Sequence, residues 1–177
     1  MLAEFEFAIL DAIQTIRFEL LDGLMVAITT LGNGGMIWIA AGVVMLFFKK
    51  YRRAGATVLL GLLLGLVCGN FVLKNIVARA RPCAINTAIE LIIPYPSEYS
   101  FPSGHTLSSF IAATCIFLRN RKIGVAAYAL AFFIAFSRLY LYVHFSTDII
   151  GGVLLGLAIA RLAVWIMKKP KWDWLGD

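Results

Sequence analysis

The chain has 177 residues, of which 61% are hydrophobic and only 15% are charged, and its mean hydropathy is +0.86. Ordinary soluble domains carry about 25% charged residues, and a chain of this length has no core large enough to bury so much apolar side chain. Composition therefore excludes a soluble globular enzyme, a disordered chain and a nucleic-acid-binding module, and it predicts an all-α membrane helical bundle. The formal net charge of +6 is attributed to cytoplasmic loops rather than to an acidic partner.

Residues 1–22 are predicted to form an amphipathic helix that lies in the membrane interface. Apolar residues fall on one helical face, while Glu4, Asp11, Glu19 and Asp22 fall on the other. These charges are too many for a membrane span but are typical of an interfacial helix. A helix that packs in a polar rim of the bundle is the alternative.

Five apolar stretches follow, each close to the roughly 20 residues that a bilayer requires. They cover residues 24–48, 54–78, 104–118, 123–141 and 149–167, and the third is short. Glycine runs in the second and fifth stretches are expected to permit close helix packing: Gly61, Gly65 and Gly69, then Gly151, Gly152 and Gly156. Residues 1–177 are therefore predicted to be a single integral-membrane domain, with the bundle at 24–167 and a cytoplasmic tail at 168–177.

Three basic clusters set the predicted orientation of the chain. They hold ten of the 16 Lys and Arg residues and lie at 49–53, 119–122 and 168–171. Because positive residues accumulate in cytoplasmic loops, the N-terminus is predicted outside and the C-terminus inside. The loops around 79–103 and 140–148 then lie on the outer face.

Unexpected polar residues converge on that outer face. Cations map there against the orientation bias, together with both histidines of the chain and one acid: Lys74, Arg79, Arg81, Arg138, His105, His144 and Asp148. Charges at the edge of the hydrocarbon are costly and usually functional. This set suits an anionic, oxygen-rich ligand such as phosphate, whereas a metal would need more carboxylates or thiolates.

The spacing within the cluster predicts local geometry. Lys74 and Arg81 are two helical turns apart and can share one helical face, with Pro82 as a stop just after the helix. His144 and Asp148 are four residues apart, so the carboxylate can hold one imidazole nitrogen and leave the other free to attack.

The segment Pro102-Ser103-Gly104-His105 is predicted to begin a span. Ser103 is a favourable N-cap residue, and Gly104 lets a ligand approach the backbone. The exposed N–H groups of a helix start can cradle a phosphate.

The order of these residues resembles the three-part signature of the type 2 phosphatidic acid phosphatase superfamily. The matching segments span residues 74–148: Lys74 with Arg81-Pro82, then Pro102-Ser103-Gly104-His105, then Ser137-Arg138 with His144 and Asp148. That family includes bacterial phosphatidylglycerophosphate and undecaprenyl diphosphate phosphatases. Many of its membrane members have six spans, so this chain is predicted to lack the first.

The resemblance implies a role for each matched residue. His144 would attack phosphorus and form a phosphohistidine, Asp148 would orient it, and His105 would protonate the leaving oxygen. The phosphoryl oxygens would be held by the remaining matched residues: Lys74, Arg81, Ser103, the Gly104 backbone N–H and Arg138. No metal or other cofactor is expected.

Three further polar residues lie outside the signature. Arg79 is expected to anchor lipid headgroups, with binding of a second phosphate as the alternative. Glu90 and Glu98 are expected to be solvated loop residues, with contact to the substrate as the alternative.

The resulting expectation is a metal-independent lipid phosphatase of a bacterial plasma membrane, with its active site on the outer face. Its substrate would be undecaprenyl diphosphate, phosphatidylglycerophosphate or phosphatidate, and its partners would be that lipid and the bilayer, not nucleic acid. A small anion transporter is the alternative from another class, and it predicts polar residues near the bilayer midplane. A non-catalytic lipid-binding protein is the third hypothesis.

Overall fold

The computed structural model describes residues 2–168, and this part of the chain is all-helical, without a strand. The all-α prediction is therefore confirmed. Nine α-helices follow one another within the described residues: α1 (Leu2–Gln14), α2 (Glu19–Leu31), α3 (Met36–Leu46), α4 (Arg52–Gly65), α5 (Lys74–Val77), α6 (Pro82–Ile85), α7 (Gly104–Arg119), α8 (Arg121–Tyr140) and α9 (Ser146–Met167). A π-helical stretch, Leu66–Leu73, joins α4 to α5. Of the predicted tail, all but Lys168 lies outside the described residues.

Helix α7 is the central element of the bundle. Nine of its 16 residues are buried, and it packs against α4, α8 and α9. Glycines on its neighbours make this approach possible: a Cβ on Gly65 would lie 2.5 Å from the Ile111 side chain, and one on Gly156 would lie 3.1 Å from the Leu107 carbonyl. The predicted role of the glycine runs in close packing is confirmed at these contacts.

The spans are long apolar helices, and the protein is a multi-pass membrane protein. Three helical stretches are long and apolar enough to cross a bilayer: Lys49–Ile85, Arg121–Tyr140 and Ser146–Met167. Helices α2 and α3 pass the same test together, with a bend of 43° between them. Helix α7, with 16 residues, is shorter than this length, as the sequence predicted for the third stretch.

The single helix predicted over residues 1–22 is wrong in its extent. Helix α1 ends at Gln14 and α2 begins at Glu19, and the Arg17 guanidinium bridges the break by donating to Asp22 at 3.1 Å. The apolar pattern continues in phase across the break, so periodicity could not reveal it. Helix α1 packs against α8 and α9, with Leu10 fully buried and Phe5 64% exposed.

The two ends of the bundle differ in chemistry. At one end, Arg119 donates to the Lys50 carbonyl at 2.8 Å, and Arg53 donates to the Met167 carbonyl at 2.9 Å. These bonds gather the first two basic clusters and the end of α9 in one place. The predicted site residues lie at the opposite end, near the starts of α7 and α9 and the ends of α5 and α8.

Candidate active site

A cavity of about 620 Å³ lies between the helices at the end opposite the basic clusters. Six of the eight predicted site residues line it: Lys74, Arg81, Gly104, His105, Arg138 and His144. The other two, Ser103 and Asp148, lie behind its wall and are fully buried. Within residues 2–168, no group of three or more His, Cys, Asp or Glu side chains is placed to hold a metal ion.

His144 precedes α9 and is 2% exposed. Its Nδ1 lies 3.4 Å from Asp148 Oδ2, and its Nε2 lies 3.1 Å from Arg81 Nη1. Because a guanidinium can only donate, Nε2 is the accepting nitrogen and Nδ1 carries the proton, with Asp148 Oδ2 and Ser100 Oγ each 3.4 Å from Nδ1. Burial lowers the pKa of His144 to about 3, although the hydrogen bond to Asp148 opposes this effect. At pH 7 the ring is therefore neutral, and its Nε2 electron pair accepts from Arg81 at the cavity wall.

The carboxylate of Asp148 is held on both sides. Its Oδ2 accepts the Phe145 backbone N–H at 2.8 Å and the Ser100 hydroxyl, in addition to facing His144. Its Oδ1 accepts from Arg79 Nη1 at 2.7 Å. A buried carboxylate requires such donors, and here they fix its orientation toward the imidazole.

The Arg79 side chain makes contacts that neither of the two expectations described. Its guanidinium donates to Asp148 and Thr147, each at 2.7 Å, and to Glu6, and it stacks 4.1 Å above the Phe145 ring centre. Arg79 does not line the cavity. Arg79 is therefore part of an ion-pair network behind the cavity, with its side chain 25% exposed.

The turn after α5 explains why Arg79 and Arg81 point to different places. Helix α5 ends at Val77, and Ala78 adopts a left-handed φ of 46°. Pro82 is the first residue of α6, so the prediction that it stops a helix containing Lys74 and Arg81 is wrong. The Arg81 guanidinium is instead fixed by the carbonyls of two loops, those of Glu98 at 2.7 Å and Val143 at 2.8 Å.

Arg138, in the last turn of α8, is a buried cation with unused hydrogen-bonding capacity. It is 4% exposed, and its Nη1 donates to Thr29 Oγ1 at 2.5 Å. Its Nε has no partner, and across residues 2–168 it is the one buried side-chain nitrogen or oxygen in this condition. Leaving a buried donor unsatisfied costs about 1–3 kcal/mol, so an anionic oxygen bound beside Arg138 would recover this cost.

His105 lies in the first turn of α7 and is positioned by a residue that the sequence did not single out. Its Nε2 lies 2.9 Å from Oδ1 of Asn33, which belongs to the bend between α2 and α3. Gly34 and Gly35 adopt left-handed φ values of 58° and 69° in this bend. The signal that could have revealed it is the run Gly32-Asn33-Gly34-Gly35, which interrupts the first apolar stretch.

Ser103 caps α7 as predicted, since its hydroxyl accepts the Thr106 backbone N–H at 3.4 Å. Its own N–H donates to the Asp148 carbonyl at 3.2 Å, which joins the starts of α7 and α9. Gly104 follows on the cavity wall, where a Cβ would lie 3.3 Å from Asn70 Oδ1. Gly104 therefore leaves the first backbone groups of the helix open to the cavity.

Glu98 is a solvated loop residue only in part. Its side chain is 62% exposed, but it forms an ion pair with Lys74, whose side chain is 7% exposed, and both residues line the cavity. The hydrogen bond from Lys74 holds the pKa of Glu98 below its ordinary value. Glu98 therefore pairs with the Lys74 ammonium group that a bound phosphate would need. Glu90 is exposed, as expected.

The far part of the cavity is apolar. Leu59, Leu62, Leu63 and Leu66 line it at intervals of three and four residues, and Ile39 of α3 also lines it. This spacing places the leucines on one helical face. One cavity thus joins a cationic, histidine-bearing end to a leucine-lined end, as a phosphorylated lipid would require.

Known proteins resemble this chain in sequence. The family model of the PAP2 superfamily matches residues 54–172. Undecaprenyl-diphosphatase from Sulfolobus acidocaldarius is 34% identical over 147 residues, which are 82% of this chain and 70% of that protein. Phosphatidylglycerophosphatase B from Bacillus subtilis is 33% identical over 183 residues, covering 93% of this chain and 84% of that protein.

Solved structures resemble the chain in fold. The crystal structure of the first transmembrane PAP2-type phosphatidylglycerolphosphate phosphatase from Bacillus subtilis gives a TM-score of 0.79 at 28% identity, covering 96% of this chain and 87% of that one. Aquifex aeolicus LpxE gives a TM-score of 0.80 at 24% identity, which supports the fold alone. The expected phosphoric ester hydrolase is confirmed by these relatives. With the family match covering most of its length, the chain belongs to the PAP2 superfamily and is a membrane lipid phosphatase.

Proposed function

We propose that the protein removes the terminal phosphate of a polyprenyl diphosphate through a metal-independent phosphohistidine mechanism. The observation that carries this proposal is that one cavity holds His144 and Arg138 at one end and the leucine-lined face at the other. Such a cavity matches a lipid whose reactive phosphate and apolar tail must bind at the same time.

In the first half of the proposed reaction, His144 Nε2 attacks the terminal phosphorus. The N–P bond forms as the bond to the bridging oxygen breaks, and that oxygen takes a proton from His105. Asp148 stabilises the positive charge that develops on the imidazole through the proton on Nδ1. This division uses one histidine as nucleophile and the other as acid, roles that one residue cannot hold in the same step.

In the second half, water attacks the phosphohistidine and gives a proton to His105. The N–P bond breaks, inorganic phosphate leaves, and His144 returns to its neutral form. Both histidines therefore end each cycle in the protonation state in which they began it.

The cations would stabilise charge on the equatorial phosphoryl oxygens. Lys74, Arg81, Arg138 and the Gly104 N–H line the same space, and Ser103 supports the start of α7 directly behind them. Arg81 donates to His144 Nε2, so it would release this nitrogen and turn to a phosphoryl oxygen as the substrate binds. Its bonds to two loop carbonyls keep it within reach.

We further propose five spans, with α1 in the interface and the site on the outer face of a bacterial plasma membrane. The bent α2–α3 pair would be the first span, Lys49–Ile85 the second, and α7, α8 and α9 the others. The basic clusters at the opposite end of the bundle support this orientation. In intact cells, Thr87→Cys in the exposed 86–88 loop should react with a membrane-impermeant maleimide above the wild-type background. Reaction only after permeabilisation would reverse the orientation.

The choice of a polyprenyl diphosphate rests on relatives that are named undecaprenyl-diphosphatases. Phosphatidylglycerophosphate is the second candidate, because the phosphatidylglycerophosphatase relative matches 93% of the chain. The test compares phosphate release by the purified protein from these two lipids and phosphatidate, with EDTA present. The diphosphate is expected to give the highest kcat/KM, and His144→Ala should abolish release from all three. Full activity in His144→Ala would overturn the mechanism.

An anion transporter is not favoured, because the polar cavity residues gather at helix ends rather than along a midplane path. A non-catalytic lipid-binding protein would not need a neutral histidine oriented by a buried carboxylate. Anion flux in liposomes that survives His144→Ala would favour transport over hydrolysis.

A further inference from the structure

Behind the cavity, a chain of ion pairs runs from Asp148 to the N-terminal helix. Asp148 Oδ1 accepts from Arg79, and Arg79 donates in turn to Glu6 of α1. Neither Arg79 nor Glu6 lines the cavity. Arg79 therefore contacts the carboxylate that orients His144, and Glu6 contacts Arg79, while neither side chain lines the space in which a substrate would bind.

Glu6 is buried although it belongs to an amphipathic helix. It is 1% exposed, and its Oε1 accepts both the Thr147 backbone N–H at 3.1 Å and the Thr147 hydroxyl. Its Oε2 accepts from Arg79. Burying a carboxylate is unfavourable unless donors surround it, and every donor here comes from the α9 start or from Arg79. Glu6 thus joins α1 to the segment that carries Asp148.

Both terminal nitrogens of the Arg79 guanidinium donate to protein oxygens. It spans Asp148, Thr147 and Glu6, and the Phe145 ring covers one of its faces. A planar fork with several donors can meet three acceptors at once, whereas a lysine ammonium is a point charge on a flexible stem. Arg79 is therefore suited to fix the carboxylate of Asp148 so that Oδ2 faces His144.

We propose that Arg79 and Glu6 are positioning residues for the phosphatase reaction: Arg79 fixes Asp148, and Glu6 holds Arg79 and offsets part of its charge. The proposal rests on the function proposed above, since it assigns a purpose to the Asp148–His144 pair. It also gives α1 a part in the chemistry, although α1 contributes no residue to the cavity.

The two residues should move the proton affinity of His144 in opposite directions. The charged and titratable groups around His144 and Asp148 are Arg79 and Glu6 behind them, and Lys74, Arg81, Glu98, His105 and Arg138 around the cavity. Without Arg79, the charge of Asp148 is less neutralised, so His144 binds a proton more tightly. Without the charge of Glu6, Arg79 neutralises Asp148 more strongly, so His144 binds a proton less tightly.

The experiment compares Arg79→Gln, Arg79→Lys and Glu6→Gln in the full chain, with kcat, KM and the pH profile of kcat/KM as readouts. Arg79→Gln should lower kcat by about 10- to 100-fold, the range found when the outer partners of metal-ligating side chains are removed, while KM changes by less than about threefold. The acid limb of its kcat/KM profile, where activity falls as His144 takes up a proton, should move to higher pH by on the order of half a unit. Glu6→Gln should move the acid limb to lower pH. Arg79→Lys keeps the positive charge but loses the planar set of donors, so kcat should fall while the acid limb of the pH profile moves little.

Asp11→Asn is the matched control, because it removes another carboxylate of α1 that contacts the bundle. Asp11 accepts from the Tyr142 hydroxyl at 2.8 Å and does not touch Arg79. It should lower thermal stability without moving the acid limb. The proposal is overturned if the Arg79 and Glu6 variants behave like Asp11→Asn, or if both shift the limb in one direction.

The outcomes separate this proposal from the function on which it rests. No phosphate release by the wild type, or full release by His144→Ala, overturns the proposed function and the positioning role with it. Normal wild-type activity with an inactive His144→Ala variant leaves the Arg79 and Glu6 results to decide the positioning role alone. Should Arg79→Gln fail to fold, Glu6→Gln and Arg79→Lys decide it.

Discussion

In the wild-type protein, the Glu98 carboxylate competes with the substrate phosphate for Lys74. A phosphate can bind Lys74 fully only after the Glu98 carboxylate has left it, so the free energy of the ion pair is subtracted from the free energy of binding. Glu98→Gln removes this competition and should therefore lower KM with kcat unchanged. The main-chain carbonyl of Glu98, which accepts from Arg81, remains in place.

The size of this effect follows from the exposure of the pair. The Glu98 side chain is 62% exposed, and exposed ion pairs contribute about 0.2–1 kcal/mol. Burial of Lys74 places this pair toward the upper end, so KM should fall by about two- to fivefold, given that about 1.4 kcal/mol corresponds to a factor of ten. Inhibition by inorganic phosphate should strengthen by a similar factor.

The assay measures phosphate release from a polyprenyl diphosphate in mixed micelles at low and high salt. Screening weakens the ion pair, so the difference between wild type and Glu98→Gln should shrink as salt rises. Glu90→Gln is the control, since it makes the same charge change in the same loop at an exposed position. A KM for Glu98→Gln that rises, or that falls no further than that of Glu90→Gln, would refute the reasoning.

Three further predictions concern acid sensitivity, positioning and packing. Attack requires neutral His144, and because burial lowers its pKa to about 3, the acid limb of kcat/KM should lie below pH 6; a midpoint at or above 6.5, the ordinary value, would contradict this. Asn33→Ala should lower kcat by about tenfold, because the second histidine of the cavity loses its partner; an unchanged kcat would exclude this role. Gly124→Ala should destabilise the bundle by about 1–3 kcal/mol, since its Cβ would lie 2.2 Å from Phe117 Cα. Gly23→Ala, which meets nothing within 4 Å, should leave the melting temperature in detergent nearly unchanged.

The convergence of the site was predictable because hydropathy fixes where spans end, and a residue at a span end has little freedom in depth. The predicted span boundaries, combined with the three basic clusters, place His105, Arg138 and His144 at one surface. The partners of these residues were not predictable, because they come from distant parts of the chain: Asn33 lies 72 residues from His105, and Glu6 lies 73 residues from Arg79. No periodic pattern reports contacts at such separations.

Backbone direction was the other feature that the sequence concealed. Ala78 takes a left-handed conformation without the Gly or Asn that usually marks one. A continuous helix through this point was therefore the natural prediction. The turn changes which arginine faces the cavity and which faces Asp148, and thereby the interpretation of Arg79.

The leucine face of α4 also limits how much of a lipid the protein can recognise. From Leu59 to Lys74 the helical stretch rises by at most about 22 Å, because an α-helix rises 1.5 Å per residue and the π-helical segment Leu66–Leu73 rises less. The part of a long isoprenoid tail beyond this reach must leave the cavity and lie among bilayer lipids. Tail length would then govern how strongly the substrate partitions into the membrane rather than how fast it reacts. Shortened, detergent-soluble prenyl diphosphates should accordingly react at a rate similar to that of the long-chain substrate.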